Sequence, residues 1–256
     1  MKTRHTLAAM LSGAILVAAP AFAVSLPPNI AGAVADTSRP AKDSDRDVAR
    51  KPGDMLVFAK VKTGETVIDL MPGGGYFTRL FSTAVGPKGT VFAVTPKTFV
   101  DRRAARPPTA PPLPPPVSSE PGRGNVHEVD GTATSLATPA PADLVWTSEN
   151  YHDVHIYAGA DGVAALNKAV YAALKPGGLY IIADHSAAPG IDEAGIKALH
   201  RIDAATVRKE VLAAGFVADG ETSAIANPAD PHTLNVFDPA IRGKTDQFVL
   251  RFRKPK

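Results

Sequence analysis

The run Val67-Ile68-Asp69-Leu70-Met71-Pro72-Gly73-Gly74-Gly75-Tyr76-Phe77-Thr78 constrains the fold more than any other part of the chain. A β-branched, apolar stretch meets an acid, breaks at Pro72, passes three consecutive glycines and re-enters a helical pattern. A buried parallel strand hands its chain to a helix in this way, leaving bare backbone beside a ligand. Glycine serves such a place because close approach to a nucleotide leaves no room for a Cβ, and the turn can demand a positive φ. Glycine turns are common, so the run takes its weight from the strand–helix units that follow it.

Hydrophobic periodicity places those units. Residues 45–58 interleave charges with Val48, Met55, Leu56 and Phe58, predicting one or two short helices interrupted at Pro52. Strands are predicted over 66–70, 90–94, 125–129, 143–147, 179–183 and 247–253, with another beginning at Phe216. Helices are predicted over 76–85, 159–174 and 203–214. Strands alternating with helices imply an α/β class, a doubly wound parallel sheet covered on both faces. An insertion at 106–121 interrupts the pattern. Seven of its ten residues from 107 to 116 are proline, which forbids a regular helix and favours extended polyproline. It reads as a stiff surface insertion, with a proline-binding partner as the alternative; Arg102, Arg103 and Arg106 before it read as a solvated face.

The N-terminus stands apart from the fold. Lys2 and Arg4 precede an apolar stretch over 7–19 and a small-x-small site at Ala21-Phe22-Ala23, the layout of an export signal over 1–23. That stretch is too short for an ordinary spanning helix; a retained anchor is the alternative. The expected location is therefore outside the cytoplasm, in the periplasm, with no stable membrane span after cleavage. Removing 1–23 lowers the formal charge from +3 to +1, and nothing then demands nucleic acid as a partner. Residues 24–44, rich in proline, alanine and small polar side chains, read as a mobile leader. Residues 45–256 suffice for one domain with a full core. The absence of cysteine excludes disulfides, thiol catalysis and thiolate metal sites. No feature of the chain speaks to oligomeric state.

Three segments in order resemble landmarks of the class I S-adenosylmethionine-dependent methyltransferases. Asp69-x-x-Pro72-Gly73-Gly74-Gly75 resembles the nucleotide-binding loop after the first strand. Leu174-Lys175-Pro176-Gly177-Gly178-Leu179 resembles the turn before strand five, and Glu210-Val211-Leu212-Ala213-Ala214-Gly215-Phe216 the last helix-to-strand junction. The resemblance implies a Rossmann-like methyltransferase fold: a mostly parallel, seven-stranded sheet with an antiparallel last strand. It further implies S-adenosylmethionine as cofactor and an exported bacterial branch of the superfamily. Two positions depart from the family's pattern. Met71 stands where glycine is common, and Thr95 stands where an acid commonly accepts from both ribose hydroxyls. A hydroxyl makes only part of that contact, and losing a charge-assisted acceptor weakens binding by roughly 1.5–3 kcal/mol.

Ligands of open α/β sheets bind beyond the carboxyl ends of the parallel strands. That rule gathers Asp69, Pro72, Gly73, Gly74, Gly75 and Tyr76 after strand one and Thr95 after strand two. Asp130 and Gly131 follow strand three, where the family often touches the adenine, and Glu149 and Asn150 follow strand four; all are candidate cofactor residues. Next come Tyr151, His152 and Asp153, the candidate catalytic set. Imidazole titrates near neutral pH, so His152 is the expected base, with Asp153 as its orienting partner and Tyr151 as a stacking surface. Asp184 and His185 after strand five, His200 and Arg201 beyond it, and His232 and Arg242 in the 226–246 connection are candidate substrate contacts. That connection is long enough for a lid, while Arg201 has the alternative of pairing with a nearby acid. His152-x-x-His155, Asp184-His185 and His232 supply ligands that zinc, iron or manganese accept, but their spacing carries no metal signature, and no metal is assigned. The expected function is methyl transfer to a small molecule. The alternatives are a non-catalytic binding protein on the same scaffold and a metal-assisted enzyme using the His/Asp cluster.

Overall fold

The computed structural model describes residues 25–132 and 135–256, so the export signal expected over 1–23 lies outside the described residues. Four short helices open the described chain: α1 (Pro28–Val34), α2 (Ala41–Ser44), α3 (Asp47–Arg50) and α4 (Pro52–Phe58). Then come β1 (Thr66–Leu70), α5 (Tyr76–Val85), β2 (Thr90–Thr95), α6 (Lys97–Ala104), β3 (Val126–Asp130), β4 (Ala142–Ser148) and α7 (Tyr151–Ala173). The chain closes with β5 (Leu174–His185), α8 (Glu193–Leu199), α9 (Ala204–Ala213), β6 (Val217–Thr222) and β7 (Gln247–Arg253). The sheet order is β3-β2-β1-β4-β5-β7-β6. Six strands run parallel and β7 runs antiparallel between β5 and β6, as the resemblance implies.

The central strands β1, β2 and β4 are short and apolar because both sheet faces are covered there. On one face Trp146 of β4 is fully buried, its ring centroid 4.5 Å from Phe77 and 5.7 Å from Phe81 of α5. Phe77, Leu80, Phe81 and Ala84 recur at helical spacing, so α5 lays one continuous apolar face on β1, β2 and β4. The other face packs Tyr180 and Ile182 of β5 against α7 and α9 through Val170, Val207 and Val211. Among the described residues no helix is long and apolar enough to cross a membrane.

Four expectations are corrected. The segment read as a mobile leader is folded from Pro28 onward: Ile30 and Ala33 are buried against the α5 side of the core, and the Arg39 guanidinium donates to Asp47 at 2.6 and 2.9 Å. Its small residues mimic a linker, but Ile30 and Ala33 lie three apart, on one helix face. The helix predicted over 159–174 is present after Gly159, but a further helical stretch from Tyr151 precedes it across the break at that glycine (φ 64°, ψ −174°), so residues 151–155 lie in helix and in no loop. Strand β5 starts at Leu174, and α6 and α8, too polar or too short for a periodic signal, join the element list.

Candidate functional site

The glycine loop sits where the rule for open sheets puts a ligand, at the carboxyl end of β1, and it separates two cavities. One, of about 660 Å³, is lined by Met71 to Gly75, Thr95, Phe99, Arg103, Glu128, Asp130, Asn150 and the segment 113–117. The other, of about 420 Å³, is lined by Lys42, Arg46, Arg50, Asp69, Tyr76, Glu149 and Asn150 together with Met71 to Gly74. A Cβ built on Gly73 or Gly74 would meet no atom within 4 Å, so the loop turns bare backbone toward open space. Gly75 faces the other way. At φ 81° its Cβ would lie 2.3 Å from Val117 Cγ2, so only glycine lets the proline-rich segment close over the loop.

That segment is extended, as its prolines dictate, and forms a wall of the larger cavity from Leu113 to Val117 where a surface insertion was expected. The arginines before it are also engaged. Arg103 donates to both carboxylate oxygens of Asp130 at 2.7 Å, and Arg102 lies 3.4 Å over the Tyr157 ring. Thr95 lines the larger cavity opposite its sheet partner Asp130. Glu128, inside β3 and so missed by the strand-end rule, also lines it, its carboxylate accepting from the Ser118 amide at 3.1 Å and from the Ser118 hydroxyl. Gly131 lines neither cavity; its amide donates to Thr95 O at 2.8 Å and turns the chain.

Lys42, Arg46 and Arg50 make the smaller cavity cationic on one side. Arg46 and Arg50 stand 5.5 and 4.9 Å over the Tyr76 ring, whose hydroxyl donates to Asp47 at 2.6 Å. Tyr76 is thereby held as a platform for these cations. Glu149, in the left-handed region at φ 60°, pairs with Arg50 and accepts from Gln247 at 3.1 Å. Asn150 lines both cavities and donates to Met71 O at 3.1 Å, tying the mouths of β1 and β4 together. Asp69 is buried and accepts from Thr78 Oγ1 at 2.6 Å; burial lifts its carboxyl to about 7, against the pull of that hydrogen bond and of Arg50. Lys42 falls in the stretch that reads as a leader, while Arg46 and Arg50, in the stretch predicted as short helices, carry only their i,i+4 spacing as a local signal, which does not say that their face meets the glycine loop.

The expected catalytic residues lie beside these cavities and line neither. Tyr151 is fully buried, its hydroxyl donating to Glu210 at 3.1 Å and accepting from Asn167 at 2.8 Å, so it offers no stacking face. His155 belongs to that same group, 3.1 Å from Glu210. His152 is oriented by Asp184, where Asp153 was the expectation: Nδ1 lies 2.7 Å from Asp184 Oδ1, and the His152 amide donates to Oδ2 at 2.8 Å. Burial alone would push His152 down and Asp184 up, and their contact reverses both, raising the imidazole and lowering the carboxyl. Asp153 Oδ1 is 3.5 Å from His152 Nε2 and 3.4 Å from His200 Nδ1. His185 sits beside His152, its centroid 5.8 Å away, and its Nδ1 is 2.8 Å from Thr245 Oγ1.

Arg201 takes its pairing alternative. Fully buried, it holds Asp230 at 2.8 Å and donates to the carbonyls of Leu234 and Ser186 at 2.9 and 3.0 Å, leaving nothing for an anionic substrate. Asp230 accepts in turn from the amides of His232 and Asp246, and His232 Nε2 is 2.9 Å from Asp246. The 226–246 connection is thus strapped to the sheet end. Arg242 is exposed on it, and neither Arg242 nor His232 reaches a cavity.

No family model and no curated protein matches the chain. Solved structures match its fold. An S-adenosylmethionine-dependent methyltransferase from Aquifex aeolicus superposes with a TM-score of 0.50 at 16% identity, covering 84% of this chain and 98% of that one. The complex of the Haloferax volcanii Trm112 methyltransferase activator with a protein assigned as a methyltransferase gives 0.52 at 17% identity, covering 91% and 98%. A protein from Galdieria sulphuraria assigned as a sarcosine dimethylglycine methyltransferase gives 0.51 at 14%, covering 84% and 88%. At such identities the likeness establishes the Rossmann-like methyltransferase fold.

Proposed function

We propose that the chain binds S-adenosylmethionine across the glycine loop and transfers its methyl group to a small-molecule acceptor. The observation that carries this reading is the bare backbone of Gly73 and Gly74 between an apolar-walled cavity and a charged one. The two halves of the cofactor differ in the same way. In the larger cavity Phe99 and Leu113 to Val117 provide flat apolar surface for an adenine, and Thr95 offers its hydroxyl to the ribose. In the smaller one Lys42 and Arg46 are the cations open to a carboxylate, while Glu149, shared with Arg50, and Asp69, once ionised, are the acids open to an ammonium.

The sulfonium supplies an activated methyl group, so the chemistry asks the protein for alignment and exclusion of water. The proline-rich wall and the N-terminal helices supply both, from opposite sides of the loop. The Thr95 departure stands uncompensated, because Glu128 is taken up by Ser118 and Asp130 by Arg103. Affinity below that of a site with a free ribose-binding carboxylate follows.

Calorimetric titration with S-adenosylmethionine and S-adenosylhomocysteine tests the reading. Saturable binding by the folded protein, lost in Gly73→Arg, is the expected result, since that side chain would enter the open space beside the loop. Absence of binding to correctly folded wild-type protein would refute it and favour a scaffold kept for another ligand.

A further inference from the structure

Beside the cavities, at the carboxyl end of the sheet, three side chains from two helix ends converge. His152 and Asp153 come from the first turn of α7, and His200 caps the C-terminus of α8. One ligand atom from each lies within 4.8 Å of the other two. Asp153 Oδ1 stands 3.5 Å from His152 Nε2 and 3.4 Å from His200 Nδ1. Asp153 Oδ1 and His200 Nδ1 are buried without a hydrogen-bond partner.

These separations discriminate between two arrangements. A carboxylate bridging two imidazolium rings by hydrogen bonds draws them to about 2.7–2.9 Å. An ion with bonds of about 2.1 Å keeps neighbouring ligand atoms about 3.4 Å apart in a tetrahedron and about 3.0 Å apart in an octahedron. The two separations from Asp153 Oδ1, 3.5 and 3.4 Å, match the tetrahedral figure.

The tautomer of His152 agrees. Its Nδ1 faces the fully buried Asp184, whose carboxylate already accepts from the amides of His152 and His185. A proton held on Nδ1 by that carboxylate leaves the Nε2 lone pair pointing into the cluster. Carboxylate–histidine pairs fix ring orientation and raise ligand basicity at metal centres in this manner.

We infer that His152, Asp153 and His200 form a binding site for a divalent first-row ion, with zinc the best match to two imidazole nitrogens and a carboxylate. Three protein ligands leave one tetrahedral position for water or an oxygen of a small molecule. His155, His185 and His232, the other histidines at this end of the sheet, are held by Glu210, Thr245 and Asp246 and take no part. The assignment stands independently of the methyl-transfer reading, because none of the three ligands lines either cavity.

Chelator-stripped protein titrated with zinc chloride by calorimetry tests the site, with cobalt(II) as a visible-spectrum reporter of tetrahedral geometry. One zinc per chain is expected, with that binding lost in His200→Gly. This variant suits the left-handed cap at φ 53° and so preserves the fold. Asp184→Asn should weaken zinc affinity by roughly 10–100-fold, whereas His232→Ala should retain it. Circular dichroism verifies the fold of each variant. Folded wild-type protein that takes up no zinc, or stoichiometric zinc retained in folded His200→Gly, would overturn the assignment and leave Asp153 as an ionic bridge between imidazoles. S-adenosylmethionine binding is titrated separately on the same preparations, so failure of either reading is seen without the other.

Discussion

Asp69, one residue before the end of β1, is buried with the Thr78 hydroxyl as its donor, and burial lifts its carboxyl from the usual 3.8 to about 7. The folded chain then holds a proton that the unfolded chain has released between those limits. Below about pH 4 both states are protonated and the residue is silent. As the pH rises toward 7 the folded state loses stability at up to roughly 1.4 kcal/mol per pH unit, and above 7 the loss is complete. Asp69→Asn keeps an acceptor for Thr78 and removes the titration. Its melting temperature relative to wild type should therefore climb between pH 5 and pH 8. A difference that stays constant over this range would return Asp69 to an ordinary carboxylate. Met71 sits at φ 58°, in the left-handed region where the resembled family commonly has glycine. The turn thus keeps its backbone shape at a cost of about 1–2 kcal/mol, while the buried Met71 side chain joins the core.

The elements differ in how much of themselves the sequence announces. Strands β1 and β7 and helix α5 have the bounds their patterns predict, because each is long enough to repeat an apolar period against a fully covered sheet. Asp69, Gly73, Thr95 and Asn150 are legible for the same reason: they follow such strands, and topology puts strand ends together. The walls of the site are not legible. Arg46 and Arg50 act from short helices whose pattern does not say where they dock, and Leu113 to Val117 from a segment whose prolines say only that it is extended. What places them is long-range contact, which no local period records. Gly75 and Val117 carry one such contact, and it is testable. Gly75→Ala imposes left-handed strain of about 1–2 kcal/mol and overpacking against Val117 of about 1–3 kcal/mol. Adding Val117→Ala should recover the second share and leave the first. Urea unfolding of the two single variants and the double variant measures this, and strictly additive losses would show that the wall does not rest on the loop.

Across the whole molecule the site is assembled by one buried cation. Arg79 of α5 donates to Asp43 at 2.9 Å, to the Gly74 carbonyl at 2.8 Å and, through Nε, to Glu120 at 2.9 and 3.0 Å. These partners belong to the N-terminal helices, the glycine loop and the chain just after the proline-rich wall, the three bodies that bound the cavities. A buried pair contributes little net stability when complete, but removing one partner strands the other, at about 3–5 kcal/mol. Asp43 and Arg79 have 5% and 4% of their side-chain surface exposed, so the penalty falls fully on Asp43, while Glu120 at 26% recovers part of its loss from water. Arg79→Met keeps the stem and removes the charge. It should lower unfolding free energy by about 3–5 kcal/mol and weaken S-adenosylmethionine binding at a temperature where the variant remains folded, since both cavity walls are released together. Asp43→Asn should lose far less of each, because Arg79 keeps Glu120 and Gly74. Equal losses in the two variants, measured by urea unfolding and calorimetry, would locate the coupling in the Arg79–Asp43 pair alone and remove the loop and the proline-rich segment from it.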